Sequence, residues 1–373
     1  MPLKGIKVLE FVGLAPGPLC GKILTDFGAT VTRIDKVLDN QLDVLQQGKR
    51  TLSLDLRNPK GQQLVCRLAN KYDVLIEPFR PGVMEKLNLG PKDLCKANPR
   101  LIYARLTGFG QQGRLAPRAG HDINYAAISG VLSMLGRRHE KITAPINLLA
   151  DFAGGSVMCA LGICLALLER HNSGKGQVVD ASMVEGAAYV ASWLFMSRSL
   201  YIWGKERGNN LLDGGSYFYD TYETKDGLYM SVGALEPQFF ELLKQCLKLP
   251  EDLSQFGEEH QDRGRKLLTE AFLSKTQAEW SQIFEDVDAC VYPVLDYRDV
   301  HNHDHNKERQ SFEMIQDAPV PRPAPLLSRT PGRLAKTSDD KQLELIDELD
   351  LKPQELKDLL NSGVLTLPEK AKL

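Results

Sequence analysis

Early in the chain, short apolar runs alternate with stretches whose apolar positions recur at helical spacing. Segments 6–12 (IKVLEFV), 30–36 (TVTRIDK), 51–56 (TLSLDL), 73–79 (DVLIEPF) and 101–109 (LIYARLTGF) read as strands, and 19–28 and 58–72 as helices between them. This alternation predicts an α/β fold, an open parallel Rossmann-like sheet with helices on both faces. Longer helical patterns follow near 122–136, 151–172 and 183–203. After Gly214-Gly215 the texture changes: 219–234 reads as a hairpin about Asp226-Gly227, 236–249 as an amphipathic helix and 290–297 as a strand.

These patterns predict a large α/β domain over 1–200, a linker over 201–219 and a smaller α+β domain over 220–310. A proline-rich linker over 311–330, extended through 317–327, precedes a segment over 331–373 that returns to the large domain. A length of 373 residues accommodates this division. With 46 basic against 48 acidic residues, the net charge of −2 gives no drive toward nucleic acid or anionic lipid. The apolar run 152–168 is short for a membrane span and rich in Gly, Ala and Cys, so it is expected as a core helix.

Seven scattered cysteines with no CxxC pair point to buried thiols in a reducing compartment. The N-terminus has no signal-peptide layout. Ala371-Lys372-Leu373 resembles the S-K-L peroxisomal address, which predicts capture by a peroxisomal import receptor; a mitochondrial pool stays open.

Residues 106–125, LTGFGQQGRLAPRAGHDINY, carry two conflicting signals. Gly108, Gly110 and Gly113 spell G-x-G-x-x-G, but a dinucleotide site needs a helix to follow, and Arg114 to Gly120 has no helical period and contains Pro117. These glycines are expected to shape a loop. The second signal is Gly120-His121-Asp122-Ile-Asn124-Tyr125, which opens an apolar helix. N-capping accounts for Asp122 and Asn124 but not for His121. Asp151 likewise heads an apolar helix, where the dipole favours a carboxylate, so capping and catalysis both remain open.

GHDINY, LLADFAGG, SGKGQVVDASMVEG (173–186) and GALEPQF (233–239) resemble the alpha-methylacyl-CoA racemases of the family III CoA-transferase superfamily. The likeness extends through LAPGP, LIEPFRPGV (75–83), LIYARLTGFGQQG, NNLLDGG (209–215) and DACVYPVL (288–295). It implies that His121 and Asp151 are the catalytic histidine and aspartate, that Glu236 supports the histidine and that Asp122 belongs to the site. It also implies an interlocked homodimer whose active sites are shared between subunits, and acyl-CoA thioester substrates from branched fatty acid and bile acid metabolism. A transferase would instead use Asp151 as nucleophile, and an inactive acyl-CoA binder is a third possibility.

Epimerisation alpha to a thioester requires removing a weakly acidic proton and returning one to the opposite face. Imidazole and carboxylate suit this if their environments bring their proton affinities together. No metal or redox cofactor is called for. Arg33, Lys36, Arg57, Arg80 and Lys86 lie near or shortly after the ends of the early strands, where an open α/β sheet binds ligands. The resemblance places Lys36, Arg57 and Lys86 at coenzyme A contacts, with Arg80 grouped among them. Ordinary surface charge is the competing account of each. His301, His303 and His305 alternate, so a helix would not bring them to one face; they are expected in a solvated turn without metal.

Overall fold

Strands β1 (Lys7–Phe11), β2 (Thr30–Asp35), β3 (Arg50–Leu54), β4 (Val74–Glu77) and β5 (Ile102–Thr107) form from the five early apolar runs. The protein is seen here as a computed structural model that describes residues 1–36, 43–335 and 345–366. A further strand, β6 (Val178–Ser182), was not anticipated, because its half-exposed pattern at the sheet edge lacks a continuous apolar signal. A short strand, Leu365–Thr366, completes a seven-stranded sheet in the order Leu365–Thr366, β3, β2, β1, β4, β5, β6. All neighbours are parallel except the last strand, which runs antiparallel to β3.

Side-chain alternation sends Leu9, Leu75 and Tyr103 to one face and Val8, Val74 and Ile102 to the other, giving two cores. The first core includes Leu345, Leu349 and Leu359 from the C-terminal segment. Glu348 fastens this segment by accepting from Arg50 Nη1 at 3.1 Å, Lys7 Nζ at 3.1 Å and the Tyr72 hydroxyl at 2.8 Å. Deeper still, Lys49 Nζ donates to both Glu10 oxygens at 2.8 and 2.7 Å and to the Pro18 carbonyl at 2.8 Å. Both side chains are fully buried. Gly21 makes room for them, since a Cβ there would lie 1.5 Å from Glu10 Oε2.

The long helical patterns resolve into shorter pieces. The first ends at Ile128, before Gly130 at φ +86°, and gives way to a 3-10 turn at Val131–Met134. The second opens as a π-helical segment, Leu148–Val157, and continues as an α-helix, Met158–Ser173. This 26-residue helix exceeds the apolar run and is long and apolar enough to cross a membrane by length and composition. Its Cys159, Ala160, Ile163 and Ala166 instead pack into the second core, while Leu161, Leu165 and Leu168 form an exposed stripe. The third pattern splits at Ala191 into Met183–Val190 and Ser192–Met196.

Contacts divide the chain into two compact units, one of residues 1–131, 145–190 and 321–373, the other of 132–144 and 191–320. In the second unit β7 (Tyr219–Glu223), β8 (Tyr229–Gly233) and β9 (Val291–Pro293) form an antiparallel sheet. Gly227, at φ +76°, lies in the loop between β7 and β8. β9 is shorter than expected, ending at Pro293, although Val294 N–H still donates to the Tyr229 carbonyl at 2.9 Å. Helices Pro237–Leu247, Glu258–Phe272 and Gln277–Phe284 cover a core around Tyr217, Phe240, Phe272 and Trp280.

The extended linker expected from residue 317 is in part a hairpin of β10 (Phe312–Ile315) and β11 (Ala318–Pro321). Its turn places Gln316 and Asp317 at φ +49° and +63°. The three histidines fall in a 3-10 turn, Val300–Asn302, and a short helix, Asp304–Glu308, with His303 between them. Among the described residues no His/Cys/Asp/Glu group is arranged to hold a metal.

Removing one partner of the Glu10–Lys49 pair strands a buried charge. Lys49→Met is expected to cost about 3–5 kcal/mol in urea unfolding, and Glu10→Leu/Lys49→Met to recover most of that loss.

Candidate functional site

Strand order reverses between β1 and β4, so the chain leaves the carboxyl ends of these neighbours in opposite directions and opens a crevice. A pocket of about 360 Å³ occupies this place. Gly13, Leu14, Pro16 and Gly17, following β1, supply part of its lining, and Pro78, Phe79 and Arg80, following β4, another part. The loop after β5 and the helix Asp122–Ile128 bring His121 and Tyr125, and the π-helical segment brings Asp151.

The glycines of the G-x-G-x-x-G stretch shape this loop. Gly110 and Gly113 adopt φ of +73° and +89°, and no helix follows them. A Cβ on Gly108 would lie 2.1 Å from the Tyr125 ring, and one on Gly120 would lie 2.7 Å from it. Tyr125 packs edge-on against Phe109 at 5.1 Å and donates its hydroxyl hydrogen to the Gly120 carbonyl. The residue preceding His121 is thereby tied to the helix that follows.

His121, not Asp122, is the N-cap residue, with extended backbone and an exposed side chain. Its N–H donates to Asn124 Oδ1 at 3.1 Å. Asp122 is the first helical residue and is 4% exposed. Its Oδ1 accepts the backbone N–H groups of Ala150 and Asp151, both at 2.8 Å. Its Oδ2 is buried without a hydrogen-bond partner. The carboxylate is therefore turned into the head of the neighbouring helix, where free N–H groups need acceptors.

Asp151 lies in the first turn of the π-helical segment, a geometry common at functional sites. Burial, followed by the negative charge of Asp122, pushes its carboxyl up to about 6, against His121 and a hydrogen bond with the Asn147 side chain. Asn147 enters the turn at φ +46°. Below Asp151, Ser156 Oγ donates to the Pro16 carbonyl at 2.8 Å. Gly154 and Gly186 allow two helices to touch, since a Cβ on Gly186 would lie 1.8 Å from the Gly154 carbonyl oxygen.

The structure gathers His121, Asp151 and Arg80 around one pocket. Glu236 belongs to the second unit, exposed at the N-cap of Pro237–Leu247. Lys36, Arg57 and Lys86 are exposed and do not line the pocket, but they follow the carboxyl ends of β2, β3 and β4. Arg57 is paired with Asp55 at 2.9 Å. Arg33 is corrected outright: it is fully buried and ion-paired with Asp35 and Asp43, and so has a structural role. Arg118 and Tyr125 line the pocket and had not been singled out. Tyr125 was legible as the last residue of the GHDINY stretch that opens with Gly120-His121. For Arg118 the only signal was a basic residue in the loop.

Residues 3–338 match the model of CoA-transferase family III. The chain is 55% identical over 337 residues to the alpha-methylacyl-CoA racemase of Homo sapiens, covering 89% of this chain and 88% of that protein. Its identity to the alpha-methylacyl-CoA racemase of Mus musculus is 53%, with the same coverage. A crystal structure of a CAIB/BAIF family protein from Brucella suis matches with a TM-score of 0.80, covering 94% of this chain and 100% of that one. At 24% identity, this likeness shows a shared fold.

Because the Asp151 carboxyl titrates higher in the folded protein than in the unfolded chain, the native state binds the extra proton between about pH 4 and 6. The stability associated with that proton is lost as pH rises through 6. Asp151→Asn is expected to raise Tm relative to wild type at pH 7–8, with the difference shrinking toward pH 4, as thermal melts across that range would show.

Proposed function

From a chain that belongs to CoA-transferase family III, we propose a racemase that interconverts (2R)- and (2S)-2-methyl-branched acyl-CoA thioesters. The observation that carries this reading is His121 and Asp151 bordering one pocket, with the Asp151 carboxyl raised to about 6. Reversible epimerisation requires an acid and a base that exchange roles, and a carboxyl raised this far can hold or release a proton near neutral pH.

In one direction neutral His121 removes the alpha proton and protonated Asp151 delivers another to the opposite face. The reverse reaction exchanges the roles. The thioester oxygen carries the developing enolate charge. The backbone N–H of Asp122, which intrahelical bonding leaves free at the first helical position, is assigned to that oxygen. The Asp122 carboxylate anchors the Asp151 backbone and adds to burial in raising the proton affinity of Asp151. Oxidation state does not change, so the reaction needs no redox cofactor.

Coenzyme A is assigned to Arg80 at the pocket and to Lys36, Arg57 and Lys86 along the carboxyl edge of the sheet. The active form is a homodimer in which Glu236 of the partner subunit orients and charge-stabilises His121. The exposed Leu161, Leu165 and Leu168 stripe supports an association of this kind. The tripeptide Ala371-Lys372-Leu373, outside the described residues, is proposed as the address read by a peroxisomal import receptor.

The test is alpha-proton exchange on (2R)- and (2S)-2-methylacyl-CoA in deuterated water, followed by NMR and chiral separation. Wild type is expected to exchange the proton and interconvert the epimers, and His121→Ala to lose both by about 10²-fold or more. Transfer of coenzyme A to a free carboxylate, undiminished in His121→Ala, would instead establish a transferase with Asp151 as nucleophile.

A further inference from the structure

Directly beneath one wall of the pocket lies a set of charges that the proton transfer itself does not use. Glu77, the last residue of β4, is fully buried and stands in register with Arg105 of β5. Its Oε1 accepts from Arg105 Nε at 2.7 Å, and its Oε2 accepts the backbone N–H of Phe79 at 2.7 Å. The terminal nitrogens of Arg105 reach Glu85 Oε1 at 2.7 Å and Oε2 at 3.3 Å. Glu85 lies in the helical turn Val83–Lys86. The chain carboxylate–guanidinium–carboxylate therefore clamps both ends of segment 77–85, which carries Pro78, Phe79 and Arg80 into the pocket.

Stability alone is a poor reason to keep these groups. Burying a carboxylate and a guanidinium costs several kcal/mol per ion, and well-packed apolar side chains often serve the fold as well or better. What apolar residues cannot supply is a fixed acceptor for one chosen backbone N–H. The surroundings need that fixity. A Cβ on Gly13 would lie 2.5 Å from Pro78 Cγ, so the wall after β4 is pressed against the β1 loop that also lines the pocket. Phe79 further packs edge-on against Phe11 of β1 at 6.0 Å.

We propose that Glu77, held by Arg105 and Glu85, is a positioning residue for the alpha-proton transfer, fixing the Pro78–Phe79–Arg80 wall so that the thioester is presented to His121 and Asp151 in reacting geometry. This rests on the racemase reading. It predicts that loosening the clamp impairs the bound reaction more than binding, because small misplacements of a reacting carbon are costly in rate.

Glu77→Gln is the main test. In the amide one of the two oxygens is replaced by an NH2 group, so of the two places where Oε1 and Oε2 now accept, one is left with a donor facing a donor. The expected result is a kcat for epimerisation lowered about 10–100-fold, with KM for the acyl-CoA changed less than about threefold. Amide hydrogen exchange should show lost protection at Phe79. Glu85→Gln, at the solvent end of the clamp, should lower kcat less but in the same direction. A wild-type kcat in Glu77→Gln, or a loss of KM alone, would overturn the positioning role. Should Glu77→Gln fail to fold, a wild-type kcat in Glu85→Gln would overturn it. If wild type itself exchanges no alpha proton, the racemase reading fails and the proposal with it. Phe79 exchange then still reports whether the clamp exists.

Discussion

A single carboxylate oxygen, Oδ1 of Asp122, joins the two helices on which the pocket's chemistry depends. By accepting the N–H groups of Ala150 and Asp151, it satisfies the head of the π-helical segment and ties that segment to the residue next to His121. The imidazole and the carboxylate thus come from chain segments thirty residues apart but share one mechanical anchor. The same group acts electrically. Its negative charge, held in a buried place with Oδ2 unpartnered, adds to desolvation in raising the neighbouring Asp151. A cap and a pKa-setting charge are here one residue.

The sheet supplies the complementary constraint. Reversal of strand order at β1 and β4 opens a crevice without any cavity having to be carved from the core. Its walls are then shaped by close approaches. Gly13 admits Pro78, Gly108 and Gly120 admit Tyr125, and Gly186 admits Gly154. Each contact fixes a loop or helix head that contributes to the pocket or supports it. Rigidity arises from many such meetings of backbone with side chain, and the buried Glu77–Arg105 pair extends it behind the wall.

Much of the fold was legible because buried parallel strands write themselves as apolar runs, and all five early ones formed. β6 was missed because an edge strand with alternating exposure carries little such signal. Helix ends misled for local reasons: Gly130 stops the first long pattern, and the π-helical turn that carries Asp151 has no period of its own to recognise. In the site, His121 stood out because capping was assigned to Asp122 and Asn124, whereas in the structure His121 is itself the N-cap. The side-chain direction of Asp122 was hidden, since its acceptor role depends on N–H groups nearly thirty positions away. Arg33 looked like a ligand-binding cation at a strand end, yet partners at Asp35 and Asp43 that no short motif reveals enclose it.

The latch at Glu348 has a consequence for the order in which the molecule is made. Arg50, Lys7 and Tyr72 meet their carboxylate only after 298, 341 and 276 further residues have been synthesised. The outer edge of β3 likewise waits for Leu365 and Thr366. At about 5–20 residues per second, the emerging sheet spends roughly 15–60 s with one edge unpaired and Arg50 without Glu348. An incomplete sheet of this kind is open to pairing with other chains, so the arrival of Glu348 and of Leu365–Thr366 closes that period of vulnerability at this edge.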